Sequence, residues 1–309
     1  MPKRVAVIGS LNMDLVIKTA RMPQVGETMK GINFIVNPGG KGANQAVAVG
    51  RLAGEVYMTG CVGNDNHGQS LIASLKESGV KTDYIQKIDN VTTGVAVIIV
   101  YEDGNNSIIL HGGANDCVNK EVLQSAEQLI IQSDYVLLQL EIPLATVEYF
   151  AEFSKRHHKT VILNPAPAVK LSEKLLNNVD IIVPNETECE ILTGIKVDCN
   201  ETAQKAAEFL YRQGIKQVVI TLGKNGVFYY DPSESFQIPV IEVETVDTTA
   251  AGDCLIGAFV AELCRGKNVK QALEFAVAAA SLAVTKRGAQ SSLPTLKEVN
   301  EFIEKHNQI

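Results

Sequence analysis

The sequence predicts an α/β fold, with a doubly wound, mostly parallel sheet flanked by helices and a small antiparallel β layer beside it. Three observations lead to this prediction. Short β-branched runs alternate with amphipathic stretches of helical length over most of the 309 residues. Two regions contain strand-like runs with no helix between them, and the chain after residue 253 has a helical pattern to its end.

The first predicted strand, residues 5–9, is a β-branched run that ends in Gly9, which is typical of a buried strand in a parallel sheet. The residues after it lack the second and third glycines of the dinucleotide-binding fingerprint, so a dehydrogenase is disfavoured. Similar runs predict the later strands, and the apolar spacing between them predicts helices. The further strands are expected at residues 56–59, 135–140, 160–163, 181–183 and 218–221, and the helices at residues 42–53, 67–78, 120–131, 144–155, 201–212, 254–264, 269–284 and 295–305.

The two regions without helices contain strand-like runs at residues 15–17, 32–36, 94–100 and 107–110. Residues 102–106 give a hairpin signal between the last two runs. The four runs form either a separate layer that covers a site or additional edge strands of the main sheet. In the first case the large domain comprises residues 1–13, 38–91 and 112–309, and the β lid comprises residues 14–37 and 92–111.

Composition excludes several classes of function. The formal net charge is −7 and the basic residues are scattered, which argues against a nucleic-acid partner. No apolar run has the length of a membrane span or a signal peptide, so we expect no membrane association and a cytoplasmic location. The six cysteines lie far apart, with neither a C-x-x-C pair nor zinc-ligand spacing, and are expected to be free thiols.

The most informative stretch is residues 247–253, where small residues lead from Asp247 to Asp253 and directly into an apolar helical pattern. A helix start leaves backbone N–H groups free and adds partial positive charge, so it attracts anions. A carboxylate at that point repels phosphate, but it can act as the base that takes a proton from a nucleophile attacking the phosphate. The alternative is that Asp253 is an ordinary helix N-cap.

Four further segments offer polar groups where predicted strands end or helices begin, and each has a purely structural alternative. Three glycines precede a helix at residues 38–45, where a ligand could approach the backbone, although this is not a Walker A loop. Asn12 and Asp14 either form hydrogen bonds with the hydroxyl groups of a polyol or close the preceding strand with an Asx turn. Residues 185–188 either bind Mg²⁺ through their acidic and amide side chains or simply form the first turn of a helix. Residues 221–226 either contact a nucleotide or form the turn of a hairpin.

These motifs resemble those of the PfkB carbohydrate kinases. The resemblance rests on residues 39–46, 185–188 and 247–253, and extends over the opening at residues 9–14, residues 163–168 and the tail at residues 285–290. Many members have Gly where this chain has Ala250. Within the family the chain is most similar to the kinases that act on D-ribose. The resemblance therefore implies ATP-dependent phosphorylation of D-ribose at its 5-hydroxyl, giving D-ribose 5-phosphate and ADP.

The resemblance also implies individual roles. Asp253 matches the base that takes the proton from the sugar hydroxyl, and the N–H groups of Ala250, Ala251 and Gly252 match the anion hole. The positions that match sugar contacts are Asn12, Met13, Asp14, Gly40, Lys41, Gly42, Ala43, Asn44 and Glu141, together with Asp253. The positions that match nucleotide contacts are Asn185, Thr221, Leu222, Gly223, Lys224, Asn225 and Gly226, together with Gly252 and Asp253.

Two metal ions and a second subunit are implied in the same way. Glu188 matches the acidic residue that organises Mg²⁺ through its waters. A K⁺ ion is implied beside the anion hole, held mostly by backbone carbonyls, and the matching positions are Asp247, Thr249, Ala283, Lys286, Gly288 and Ser292. The lid pairs two subunits in the family, so a homodimer is implied. Cys254, next to the proposed base at a helix start, is either a reactive thiol of lowered pKa or a buried core thiol.

Overall fold

The computed structural model describes residues 3–102 and 105–306. Its strands are β1 Arg4–Ile8, β2 Asn12–Thr19, β3 Asn33–Gly39, β4 Glu55–Gly63, β5 Lys81–Ile88, β6 Gly94–Tyr101, β7 Asn106–His111, β8 Tyr135–Leu138, β9 Thr160–Leu163, β10 Ile181–Ile182, β11 Gln217–Thr221, β12 Val227–Tyr230 and β13 Ser235–Ile238. Its α-helices are α1 Lys41–Arg51, α2 Asn66–Glu77, α3 Gln124–Gln132, α4 Leu144–Arg156, α5 Glu173–Leu176, α6 Glu186–Thr193, α7 Asn200–Arg212, α8 Ala251–Cys264, α9 Val269–Ala283 and α10 Leu296–His306.

The main sheet has the strand order β13-β12-β11-β10-β9-β8-β1-β4-β5. All neighbours from β11 to β5 run parallel, and β12 and β13 continue the sheet antiparallel at one edge. Side chains of β1 alternate between two buried cores, with Val5 and Val7 in one and Ala6 and Ile8 in the other. Helices cover both faces, so the predicted α/β fold with a doubly wound, mostly parallel sheet is confirmed.

The four strands of the lid form their own sheet, in the order β3-β2-β6-β7. They are therefore a separate layer and not edge strands of the main sheet. The pairs β2–β3 and β6–β7 are antiparallel, whereas the two central strands, β2 and β6, run parallel. The β6–β7 pair agrees with the hairpin signal, although Asp103 and Gly104 of its turn lie outside the described residues.

The lid strands reach into the loops that carry the sugar-contact candidates. β2 begins at Asn12 and β3 ends at Gly39, so Asn12, Met13 and Asp14 belong to the first lid strand. The predicted boundary at residue 14 lies two residues inside β2. A movement of the lid would therefore move residues of the candidate sugar site.

In the main sheet, β5 at one edge and β13 at the other were not predicted, and β12 was indicated only by the hairpin alternative for residues 221–226. β5 is only partly buried along its length, so it lacks the continuous apolar run of the central strands. The helix expected at residues 120–131 begins later, at Gln124, because Asn119 accepts hydrogen bonds from Val122 N (2.8 Å) and Leu123 N (3.0 Å) and closes a turn. Within the described residues, no helix is both long enough and apolar enough to cross a bilayer.

Helices α1 and α8 pack closely because residue 257 of α8 is a glycine. A Cβ at Gly257 would lie 2.4 Å from Ala48 Cβ and 2.9 Å from the Gln45 carbonyl oxygen of α1. Real Cβ contacts are not that short, so a larger residue must push the two helices apart. This contact matters for the site because α1 and α8 carry candidate residues of both substrates.

Gly257→Ala is expected to lower the free energy of unfolding by about 1–3 kcal/mol, although alanine is the better helix former. Urea unfolding measures the change. The double variant with Ala48→Gly removes the closest contact, so its loss should be smaller than the sum of the two single losses. Strictly additive losses would contradict the close-packing explanation.

Candidate active site

The candidate residues converge at the carboxyl edge of the parallel sheet, as ligand sites in open α/β sheets do. Asn12 begins β2, directly after the loop that follows β1, and the loops after β8 and β9 supply Glu141 and Asn164. The loop after β10 supplies Asn185, which forms an isolated parallel bridge with Thr221 of β11. The N-terminus of α8 completes the edge with Asp253. Residues as far apart in sequence as Asn12 and Asp253 are thus gathered around one helix start.

Glu141 organises one side of the site. Its Oε2 accepts hydrogen bonds from Ser10 Oγ (2.6 Å), Lys41 N (3.1 Å) and Asn12 Nδ2 (3.5 Å). The carboxylate therefore connects the loop after β1 with the N-terminus of α1. Of its partners, Asn12 and Lys41 were predicted sugar contacts, while Ser10 was not.

A buried residue that sequence reasoning missed, Asn115, fixes the orientation of Asn12. Asn115 Oδ1 accepts from Leu11 N (2.9 Å), and its Nδ2 donates to Leu11 O (3.2 Å) and Asn12 Oδ1 (2.7 Å). The oxygen of Asn12 is thereby occupied, so its N–H groups face Glu141 and the open site. Asn115 lies in the short 3₁₀ segment Gly113–Cys117, directly after the lid, where no local sequence pattern indicates a site.

The glycines at the start of α1 allow a close approach between this helix and the loop after β1. Gly40 has φ +89°, and a Cβ there would lie 2.7 Å from Asn12 N and 3.0 Å from Ser10 O. Both the conformation and the space exclude a side chain. A Cβ at Gly42 would lie 2.7 Å from Ser10 N, so Gly40 and Gly42 together seat α1 against the end of β1.

Asp14 is buried beside two other carboxylates. Burial, together with the negative charges of Glu141 and Asp253, raises the pKa of Asp14 to about 7. A Cβ at Gly39 would lie against the carboxylate of Asp14, so the glycine leaves room for it. Within the described residues no donor is hydrogen-bonded to the carboxylate of Asp14, so this desolvated acceptor suits the hydroxyl groups of a polyol.

Asp253 is buried in the first turn of α8 and accepts two side-chain hydrogen bonds. Asn44 Nδ2 donates to Oδ2 (3.0 Å), and Gln45 Nε2 donates to Oδ1 (2.9 Å). The N-cap position belongs to Ala250, which makes no side-chain capping bond. The interpretation of Asp253 as an ordinary N-cap is therefore wrong, because its carboxylate is directed into the site and away from the helix N–H groups.

Ala250 adopts the left-handed conformation, with φ 59° and ψ 13°, a region that favours glycine. This explains why a glycine is suitable at this position. Ala251 N donates to Thr248 O (3.2 Å), but within the described residues no acceptor is bonded to the N–H groups of Ala250 or Gly252. Those two N–H groups are available to an anion at the positive end of α8.

Two cavities meet at this helix start. The smaller, of about 200 Å³, is lined by Lys41, Asn185, Glu188 and Asp253 among others. The larger, of about 720 Å³, is lined by the 223–226 segment. Both cavities share four residues, Thr221, Thr248, Ala251 and Gly252. A ligand that extends from one into the other must pass the free N–H groups of α8.

Most of the wall of the larger cavity was not predicted. Its additional lining consists largely of aliphatic and small residues, namely Val240, Ile241, Glu242, Val243, Thr245, Leu255, Val277, Ala280, Ser281 and Val284. Such residues have the sequence pattern of an ordinary core, so no local signal could have identified them. The predicted residues Gly223, Lys224, Asn225 and Gly226 also line this cavity, and Lys224 is exposed.

Asn185 and Glu188 form a capping box at the start of α6. Glu188 N donates to Asn185 Oδ1 (2.8 Å), and Asn185 N donates to Glu188 Oε2 (2.9 Å). Residues 185–188 therefore form a first helical turn, and the same pair also lines the smaller cavity, so this turn does not exclude a role at the site. Burial raises the pKa of Glu188, although the Asn185 N–H and Lys41 oppose the shift.

Lys41 is the basic residue of the smaller cavity. Burial disfavours its charge, but the carboxylates of Asp253, Glu141 and Glu188 outweigh that effect and raise the pKa of Lys41. The site therefore holds a persistent ammonium group among carboxylates. Residues 3–102 and 105–306 contain no cluster of three or more His, Cys, Asp or Glu side chains that could bind a metal ion alone.

Asp247 connects the loop before α8 to the loop after α9. Its Oδ1 accepts from Thr249 N (2.9 Å) and Thr249 Oγ1 (2.6 Å), and its Oδ2 accepts from Gly288 N (2.9 Å). Burial alone would raise the pKa of Asp247, but the hydrogen bonds from Thr249 and Gly288 outweigh that effect and lower it. Asp247, Thr249 and Gly288, three of the six predicted K⁺ positions, are thus in direct contact.

The other predicted K⁺ positions lie nearby in the chain. Lys286 directs its ammonium to Glu298 Oε1 (2.6 Å), so only its backbone is available to a cation. Ala283 ends α9, and its carbonyl accepts from Lys286 N (3.0 Å). Ser292 is buried, and its hydroxyl donates to Ala289 O (2.8 Å).

Cys254 is fully buried, and burial raises the pKa of its thiol to about 12. The helix start does not produce a reactive thiolate here, so Cys254 is the core thiol of the second alternative. All six cysteines are free, as the sequence predicted.

Comparison with known proteins agrees with this geometry. A ribokinase from Haemophilus influenzae is 44% identical over 304 residues, which cover 98% of this chain and 99% of that protein. A deoxyribokinase from Salmonella typhi is 38% identical over 300 residues, covering 97% of this chain and 98% of that protein. The structure of Arabidopsis thaliana ribokinase complexed with ribose and ATP has a TM-score of 0.93 at 35% identity, covering 98% of this chain and 99% of that one.

The family model for pfkB family carbohydrate kinases matches residues 2–296, almost the whole chain. The match includes the lid, the glycine loop before α1 and the helix start that carries Asp253. This chain therefore belongs to the pfkB family of carbohydrate kinases.

Proposed function

We propose that the protein is an ATP-dependent ribokinase, which phosphorylates D-ribose at its 5-hydroxyl and releases D-ribose 5-phosphate and ADP. The observation that carries this proposal is the position of Asp253, a buried carboxylate beside the free N–H groups where the two cavities meet. Full-length similarity to ribokinases, one of them complexed with ribose and ATP, supports the choice of substrates.

The chemistry follows from the residues around the helix start. The carboxylate of Asp253 takes the proton from the 5-hydroxyl as the oxygen attacks the terminal phosphorus of ATP. The bond from that phosphorus to the oxygen of ADP breaks in line, and the proton remains on Asp253. The N–H groups of Ala250 and Gly252, with Lys41 nearby, stabilise negative charge on the transferring phosphoryl group.

The sugar occupies the side of the site formed by Asn12, Asp14, Asn44 and Glu141. Asn12 offers N–H donors, because Asn115 occupies its oxygen, while Asp14 and Glu141 offer acceptors. The nucleotide occupies the larger cavity beside residues 221–226. Aliphatic walls there suit a purine base, which is recognised partly by apolar contact.

Mg²⁺ and K⁺ are part of the proposal. Mg²⁺ is usually held by few carboxylates, water and substrate phosphates, which agrees with Glu188 lining the smaller cavity without a cluster of further ligands in the described residues. Mg²⁺ neutralises phosphate charge when bound. A K⁺ ion beside the Asp247–Gly288 contact would fix the loop that precedes α8, since that contact already joins the two loops. A cytoplasmic location stays a prediction from the sequence.

A substrate screen tests the proposed function. ADP release is measured with ATP, Mg²⁺ and K⁺ over a panel of D-ribose, 2-deoxy-D-ribose, ketoses and nucleosides. The proposal predicts the highest kcat/KM for D-ribose. Preference for 2-deoxy-D-ribose would favour the second candidate, a deoxyribokinase, which the similarity to the Salmonella typhi enzyme supports. Absence of ADP formation across the panel would contradict both.

We also propose that the lid pairs two copies of the chain. The lid strands β3 and β7 expose large apolar side chains, among them Phe34, Ile108 and Ile109, each more than half exposed. These strands are the two edges of the lid sheet, and exposed large apolar side chains of this kind mark an interface. Pairing across the lid would cover it and close the sugar site from outside.

Ile109→Asp is expected to convert a dimer into a monomer, because a charge would be buried in an apolar interface. Light scattering after size-exclusion chromatography measures the mass. Ile191→Asp is the matched control, since Ile191 is equally exposed but lies on α6, outside the lid. A wild-type monomer, or a dimer that both variants leave intact, would exclude pairing through the lid.

A further inference from the structure

A chain of buried amides holds the proposed base in place. Gln45 lies in the second turn of α1 and is completely buried. Its Nε2 donates to Asp253 Oδ1 (2.9 Å) and to Asn164 Oδ1 (3.1 Å), and its Oε1 accepts from Gln139 Nε2 (2.7 Å). Gln139 and Asn164 follow β8 and β9 directly, so the base is tied to two strands of the main sheet and to α1.

The orientation of the Gln45 amide is fixed by its neighbours. Asn164 Nδ2 donates to Val183 O (3.0 Å), and a carbonyl oxygen can only accept, so the oxygen of Asn164 must face Gln45. The ionised carboxylate of Asp253 also can only accept. Because Asn164 Oδ1 and Asp253 Oδ1 are both acceptors, the Gln45 amide must direct its N–H groups toward them. Its oxygen then faces Gln139, whose amide N–H satisfies it.

We infer that Gln45, oriented by Gln139 and Asn164, is a positioning residue for Asp253. This inference rests on the proposed function of Asp253 as the base. Gln45 holds one carboxylate oxygen while Asn44 holds the other, so the carboxylate cannot rotate about its terminal bond. Each oxygen keeps a further lone pair with which to take the proton of the sugar hydroxyl.

The inference separates Gln45 from the sugar contacts. Gln45 has no exposed surface, and all its polar atoms are bonded within the protein, so it has nothing to offer the sugar. Its loss should affect the chemical step more than substrate affinity.

The test uses Gln45→Met, which keeps the size of the side chain but removes its hydrogen bonds. We expect kcat for D-ribose to fall about 10-fold to 100-fold while KM changes less than about threefold. Because Gln45 contacts neither substrate, the loss should lie in kcat and not in KM. Gln139→Met releases only the oxygen of Gln45 and should lower kcat in the same way by a smaller factor.

The matched control is Thr146→Val, which removes one buried hydrogen bond, from Thr146 Oγ1 to Val118 O (2.7 Å), in α4 away from the site. Its kcat and KM should match the wild type. If Gln45→Met folds and keeps a wild-type kcat, or if its KM rises by the same factor as kcat falls, Gln45 does not position the base and the inference is overturned. If Gln45→Met does not fold, a wild-type kcat in Gln139→Met overturns it. Wild-type protein that makes no ADP would overturn the proposed function together with the inference.

Discussion

Asp253→Asn is expected to lower kcat for D-ribose about 10²–10⁴-fold and to leave ATP affinity nearly unchanged. The amide is the same size as the carboxylate but cannot take the proton of the attacking hydroxyl. It also has only one oxygen to accept the bonds from Asn44 and Gln45, so part of the local network is lost. ATP affinity is conserved because the wall of the larger cavity and residues 221–226 are unchanged.

Steady-state kinetics give kcat, and isothermal titration calorimetry gives the dissociation constant of ATP. Asp89→Asn is the matched control, because Asp89 is exposed on the loop after β5, outside the site, and the same carboxylate-to-amide change there should leave kcat unchanged. Turnover of Asp253→Asn within about tenfold of the wild type would contradict the base assignment. A large loss of ATP affinity would instead assign Asp253 to nucleotide binding.

Asp14→Asn is expected to raise KM for D-ribose about 10- to 100-fold with a smaller change in kcat. The ionised carboxylate accepts hydrogen bonds from sugar hydroxyls, and an amide offers one acceptor and a donor that faces other donors. The pKa of Asp14 is about 7. In the wild type, KM should therefore fall as the pH rises through about 7, since the acceptor becomes ionised in that window.

Asp14→Asn weakens sugar binding, but it should increase the stability of the sugar-free protein above neutral pH. Because folding raises the pKa of Asp14 from 3.8 to about 7, the native state binds this proton more tightly than the unfolded chain does. Its cost to stability is absent well below pH 4, grows as the pH rises to 7, and is complete above 7. Asp14→Asn without sugar should accordingly have a higher Tm than the wild type at pH 8, and a smaller difference at pH 4.

Thermal unfolding at both pH values and KM between pH 6 and 8 check these expectations. Asp83→Asn, an exposed carboxylate on β5, is the control and should change neither KM nor Tm. A KM that is independent of pH in the wild type, or a lower Tm for Asp14→Asn at pH 8, would contradict the assignment of Asp14 as a desolvated sugar acceptor.

Periodic features of the sequence predicted most of the fold. The buried strands β1, β8 and β9 are short β-branched runs, and α4 and α7 have clear apolar stripes, so each was found within a few residues. β5 could not be found this way because it is a partly exposed edge strand. Its place is determined by pairing with β4, which is a long-range contact and leaves no local pattern.

The residues of the candidate site likewise fall into those that the sequence indicates and those that only long-range contacts reveal. Asp253, Gly40 and Glu188 stand in segments whose local composition, or whose resemblance to a family, marks them. Gln45 and Asn164 lie in segments that the family resemblance covers, but neither was assigned a role there. They and Asn115 act through contacts that span about 100 to 200 positions of the chain, so each is an ordinary buried amide when its neighbours are unknown. The aliphatic wall of the larger cavity is indistinguishable in sequence from core. Only the meeting of α8 and α9 with residues 223–226 and 240–245 in the folded chain reveals it.

The most direct test of the central claim is the identity of the product. Purified protein is incubated with D-ribose, ATP, Mg²⁺ and K⁺, and the product is examined by ³¹P and ¹H NMR. We predict a single phosphate ester coupled to the two protons on C5, formed in equal amount with ADP. A phosphate on another carbon, or ADP release without a sugar phosphate, would contradict the proposal that Asp253 directs the 5-hydroxyl of ribose to the bound nucleotide.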